Sequence, residues 1–150
     1  MKNSCIKFFL SFLIFTLSYA QNEKDRFQEF KKMKMNFIIE NTSLTEAEKK
    51  AFLDIFEGFE DRYHNEVWIQ ERQLRKGIIK AFDTISSSSA SLYISDFYNN
   101  EKLGMSIKYE RNQKLLTKIN PKSVLNILHQ ERRFDREMFN QLRNRAKKDK

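Results

Sequence analysis

Apolar residues recur along most of this chain at helical spacing, and the longest run of them defines its central element. Phe52, Phe56, Phe59, Tyr63, Val67, Leu74, Ile78, Ala81 and Ile85 succeed one another at steps of three, four or seven, which places them on one stripe of an α-helix. A helix carrying that stripe covers roughly forty residues and reaches ~60 Å. It is too long to fold back on itself and must lie against another long helix or a second subunit. Upstream, Phe27, Phe30, Phe37 and Ile38 predict a first helix over residues 22–40, ended by Asn41-Thr42-Ser43. Leu44-Thr45-Glu46-Ala47-Glu48 then opens the long helix. Thr45 is a natural N-cap, and Glu48 three residues later completes a capping box at the positive end of the helix dipole. Gly58 and Gly77 lie inside the stripe; each costs ~1 kcal/mol relative to Ala and marks a bend or a close helix approach.

The serine run Ser86–Ser91, interrupted only by Ala90, is the clearest break. It reads as the tip of a helical hairpin, with one serine capping the next helix. Tyr93, Phe97, Leu103, Ile107, Leu115 and Ile119 predict a third helix over residues 92–119 with a ragged apolar face, weakened at Asn99-Asn100 and Gly104. Pro121 after Asn120 sets the next boundary, because proline disfavours helix in the residue before it and suits a first turn. Val124, Ile127, Leu128, Phe134, Met138 and Leu142 carry a last helix over residues 121–146. Its segment 131–137 mixes charge signs, as solvated helices do, and Lys147-Lys148-Asp149-Lys150 is a frayed basic tail. The pattern predicts an all-α fold: an elongated helical hairpin of about four helices in one domain, residues 21–150.

Composition agrees, since three glycines and one proline in 150 residues leave too few turns for a sheet protein. The first twenty residues stand apart. Lys2 and Lys7 precede an apolar run from Phe8 to Leu17, and Ser18-Tyr19-Ala20 comes after it. That is a basic n-region, a short h-region and a small-residue cleavage site, with an apolar core of about ten residues against the ~20 that a span needs. Cleavage after Ala20 and export of residues 21–150 to the periplasm are expected. Cys5, the sole cysteine, falls in the leader, so the exported chain has neither disulfide nor thiol chemistry. The formal charge is +8, and an excess of six remains without Lys2 and Lys7. In an exported protein this excess suits anionic lipid or acidic protein segments better than nucleic acid, for which no binding module is present.

Phe37, Leu44, Thr45, Glu48 and Phe52, then Pro121, Leu125 and Glu131-Arg132-Arg133-Phe134, fall in an order that resembles the LTxxQ-motif superfamily of small periplasmic helical proteins, the Spy/CpxP-like group. The branch they look most like is the one described as sensors of extracytoplasmic-function sigma factors. Glu48 stands where the motif has Gln, and Ile119-Asn120-Pro121 stands where a second copy would be. The resemblance implies a thin all-α hairpin, often an antiparallel homodimer, that senses envelope stress or holds unfolded chains without ATP. The partners it implies are unfolded or membrane-associated proteins, an anti-sigma or sensor protein among them.

Catalytic chemistry has no support. The chain has no G-x-S-x-G, no Gly-rich phosphate loop and no H-E-x-x-H, and no catalytic residue, cofactor or metal site is expected. His64 and His129 are the only histidines; Glu60 and His64 share a helix face at i, i+4. Two histidines fall short of the usual three or more ligands, so a metal- or ligand-responsive sensor is the alternative reading. The candidate surface for clients or partners is the wide aromatic arc Phe52, Phe56, Phe59, Tyr63 and Trp68, with Arg72, Arg75 and Lys76 beside it. Met33, Met35, Met105 and Met138 add adaptable apolar surface. Basic clusters at Lys24-Arg26, Lys31-Lys32-Lys34 and Arg143–Lys148 extend the electrostatic attraction, with a weak contact to anionic membrane as one expectation.

Overall fold

The computed structural model describes residues 25–148, and every regular element among them is a helix. The leader and its cleavage site lie outside the described residues. Helix α1 covers 25–40. Helix α2 is Glu46–Tyr63, a π turn comes next at His64–Trp68, and α3 is Ile69–Ala81. Helices α4, Ser87–Leu116, and α5, Pro121–Lys148, complete the chain. Because α2, the π turn and α3 form one continuous rod, the described residues make four helical rods, an all-α hairpin bundle. The long helix predicted from the aromatic stripe is present, ends at Ala81, and has α4 running antiparallel along it.

Local chemistry sets the boundaries. Thr45 Oγ1 accepts the Glu48 N–H at 3.3 Å, and Glu48 Oε2 accepts the Thr45 N–H at 3.1 Å, closing the capping box. Glu48 also accepts the Asn120 N–H at 3.0 Å. One carboxylate therefore ties the start of α5 to the start of α2. The Asn120 N–H and then the Thr45 N–H hold that carboxyl below its ordinary value. Ser86 caps α4 through the Ser89 N–H at 3.2 Å. Helix α4 thus begins at Ser87, five residues ahead of the predicted Leu92, because a satisfied N-terminus carries serines that are weak helix formers elsewhere.

All four rods feed the core. Met35 and Ile38 from α1, Phe52 and Phe56 from α2, Leu115 and Ile119 from α4 and its end, and Val124 and Ile127 from α5 form one cluster. Phe52 and Phe56, expected on a client surface, are wholly buried with ring centroids 4.7 Å apart. The four-rod base leaves that side of α2 no access to solvent. Met35 is likewise core.

The positions expected to weaken α4 are where it locks onto the long rod. The buried Asn100 side chain donates to the Val67 carbonyl at 3.1 Å, inside the π turn where the i→i−4 ladder is loosened. A Cβ on Gly104 would sit 3.1 Å from the Tyr63 ring and 3.3 Å from Val67, so any larger residue would push these side chains back by a few tenths of an ångström. Gly77 is a close approach of the same kind, against Tyr93. Gly58 differs: a Cβ there meets nothing within 4 Å. Gly58→Ala should raise the unfolding free energy by about 0.5–1 kcal/mol, from lower unfolded-state entropy and better helix propensity. Urea melts of both proteins would measure this, and an unchanged midpoint would refute it.

Among the described residues, bundling is confined to one end. Helix α1 and the first half of α5 cover α2 and the C-terminal half of α4, whereas α3 buries no residue at all. Helix α3 and the N-terminal half of α4 therefore project as a two-helix arm.

Candidate binding face and the ion network beneath it

Beneath the arm, each rod contributes one charged side chain to a buried quartet. Lys34 Nζ from α1 lies 3.2 Å from Glu60 Oε2 of α2 and 3.0 Å from Glu131 Oε1 of α5. Arg111 from α4 lies 3.2 Å from Glu60 and 2.7 Å from Glu131, and its two terminal nitrogens donate to both Glu131 oxygens. Each of the four side chains is at most 10% exposed. The Arg111 guanidinium also lies 4.5 Å from the Phe56 ring centroid. Two cations and two anions cancel, which is how a core tolerates charges that burial would otherwise make costly. Burial pushes the Glu131 carboxyl up, but Arg111 and Lys34 outweigh it and hold it at about 2. Burial likewise lowers the Lys34 ammonium, and Glu131, Glu60 and Asp135 together reverse this and raise it above 10.5.

Three sequence expectations change here. Glu131, expected in a solvated stretch, is buried; Lys34 is neutralised; and Lys31 is buried against Glu57 at 3.3 Å and Asp61 at 2.8 Å. Lys31 and Lys34 are fasteners between α1 and its neighbours, not part of an attractive basic surface.

An aromatic column leads from α1 onto the long rod. The Phe27 ring stacks on His64 at 3.7 Å, His64 stacks on Trp68 at 4.9 Å, and the Arg72 guanidinium lies 5.4 Å over Trp68. Trp68, Arg72, Arg75, Ile79 and Phe82 then succeed one another at steps of four, three, four and three, which is one helix face. Ile79 is 78% exposed and Phe82 72%. Helix α4 carries a second exposed stripe, Ile94, Tyr98, Met105, Tyr109 and Leu116, at steps of four and seven. Sequence reading missed it, because α4 has an inward apolar face as well and the two together read as raggedness.

Of the residues expected to bind, Trp68, Arg75 and Lys76 are exposed, Arg72 is half-buried, and Arg75 pairs with Glu71 at 2.6 Å. Phe59 and Tyr63 are half-buried, lying under Lys114 at 5.2 Å and Lys108 at 4.8 Å. Phe59 also lines an open groove of ≈ 350 Å³ with Asp54, Ile55, Gly58, Arg62 and Lys114. Leu44 is half-buried against the core. His64 sits in the aromatic column, and His129 is exposed on α5. Among the described residues no group of three or more His, Cys, Asp or Glu is arranged to hold a metal ion, and no helix is long and apolar enough to cross a membrane. In comparison with known proteins, the chain matches no family model, no curated protein and no solved structure.

Proposed function

We propose that this is a non-enzymatic, exported helical protein that holds partly unfolded or membrane-associated protein segments on the bare face of its α3–α4 arm. Its setting would be the periplasmic envelope-stress role that the Spy/CpxP-like resemblance implies. The observation that carries the reading is the arm itself: Trp68, Ile79, Phe82, Ile94 and Tyr98 are exposed, with Arg72, Arg75, Lys76 and Lys80 among them. Large apolar side chains left exposed on two packed helices mark an interaction site. Each large side chain that a client covers contributes ~1.5–3 kcal/mol, and the neighbouring cations speed the encounter with acidic or unfolded chains. Neither step needs a nucleotide or covalent chemistry, so release results from client folding.

The test is light scattering from a reduced, aggregating model protein in the presence of residues 21–150. Suppression without ATP is expected. The pair Ile79→Ser and Phe82→Ser should remove most of it while leaving the melting temperature unchanged, because both side chains already face solvent. No suppression at several-fold excess would rule out the holding role.

A further inference from the structure

Helix α5 runs on past its buried part. Among the described residues its last buried side chain is Phe134, whose ring lies 5.4 Å from Phe30 of α1. From there α5 continues to Lys148, ~20 Å further at 1.5 Å per residue. Just before and along this extension Arg132, Arg136, Phe139 and Arg143 are spaced at steps of four, three and four, one helix face. Phe139 is 66% exposed, and Leu142, one step round the helix, is 60% exposed. Among the described residues Arg132, Arg136 and Arg143 form no ion pair, although Asp135 lies one turn along the helix from Arg132. Arg133, on another side, is occupied by Glu137 at 2.8 Å. Between residues 132 and 148 the sequence holds seven cations and two acids.

We infer that this extension of α5 docks on the surface of an anionic phospholipid bilayer. An apolar strip bordered by a cationic stripe on an uncovered helix is the pattern that lies in the plane of a membrane interface. Phe139 and Leu142 enter the headgroup–acyl boundary, and the three arginines meet lipid phosphates, to which the guanidinium fork is matched. Charge decides for lipid over a second copy of this chain, since two copies of this face would set like charges against each other. The inference is independent of the client-holding face, which lies on α3 and α4. It would place that face beside the membrane.

The test is flotation of residues 21–150 with vesicles, since the four-rod core closes within residues 25–148. Vesicles of phosphatidylcholine with phosphatidylglycerol should carry the protein upward, and vesicles of phosphatidylcholine alone should not. Each of Arg132→Gln, Arg136→Gln and Arg143→Gln should weaken binding about fivefold, the ~1 kcal/mol of one basic residue at an anionic surface. Phe139→Ser should weaken it at least as much, with circular dichroism and melting unchanged. Equal flotation with neutral vesicles would overturn the inference. So would binding insensitive to the α5 variants, or binding lost on Ile79→Ser and Phe82→Ser, which would assign it to the arm. Concentration-dependent self-association abolished by Phe139→Ser, without flotation, would give this face to a second copy instead.

Discussion

Replacing Arg111 with methionine should lower the unfolding free energy by about 3–5 kcal/mol, enough to remove much of the stability of a domain this size. Glu60 and Glu131 would then share one ammonium, Lys34, in a site at most 10% exposed. The loss measures an uncompensated buried charge, not the value of an ion pair. The double variant Arg111→Met with Glu131→Leu should therefore be more stable than Arg111→Met alone, since it restores one cation to one anion. A double variant weaker than either single would show that the quartet stabilises by attraction. Acid should act on the same network. Glu131 sits at about 2 against an ordinary 4.5, so the native state favours its ionised form. Its contribution, about 3 kcal/mol, is fully present above pH 4.5 and disappears as pH falls through 2. Urea midpoints across that range should drop steeply in the wild type and more gently in Glu131→Gln. On the alkaline side Lys34, raised above 10.5, stays charged until the pH exceeds that value, so no loss from the quartet is expected near neutrality.

Phe56→Ala should cost about 3–5 kcal/mol, the range for a phenylalanine removed from a closed core. The ring is fully buried, lies against Phe52, and carries Arg111 on one face with Lys34 5.6 Å from its centroid. Its loss opens a cavity and exposes the quartet to water at once. Client holding in this variant should fall only in proportion to the unfolded fraction, because the ring is out of a client's reach. Pairing it with Ile79→Ser separates the two roles: thermal melting moves with Phe56, aggregation suppression with Ile79. A Phe56→Ala protein that melts normally yet fails to suppress aggregation would return Phe56 to the binding surface.

The buried charges were legible in principle. Lys34 lies four residues before Ile38, Glu60 four after Phe56, Arg111 four after Ile107 and four before Leu115, and Glu131 four after Ile127. Each charge therefore stands in the register of an apolar stripe. A charged residue in that register is usually at the edge of the stripe with its head in water. Only the convergence of four helices at one level makes all four interior. The same holds for Asn100 and Gly104, which are helix-weakening residues until a second rod lies across them.

Sequence by itself determined the helices, their order, the capping box at Thr45 and Glu48, the serine-capped hairpin and the proline boundary. These depend on periodicity and on contacts between residues at most four apart, and both are written along a single chain. Tertiary structure alone decided which apolar residues are core and which are surface. Phe56 and Phe82 are the same residue type on and at the end of one rod, yet one is wholly buried and the other 72% exposed. The difference is that Phe56 faces the helices packed around the base, whereas no described residue covers Phe82. Burial is a property of the neighbour lying opposite, and no local pattern records that neighbour.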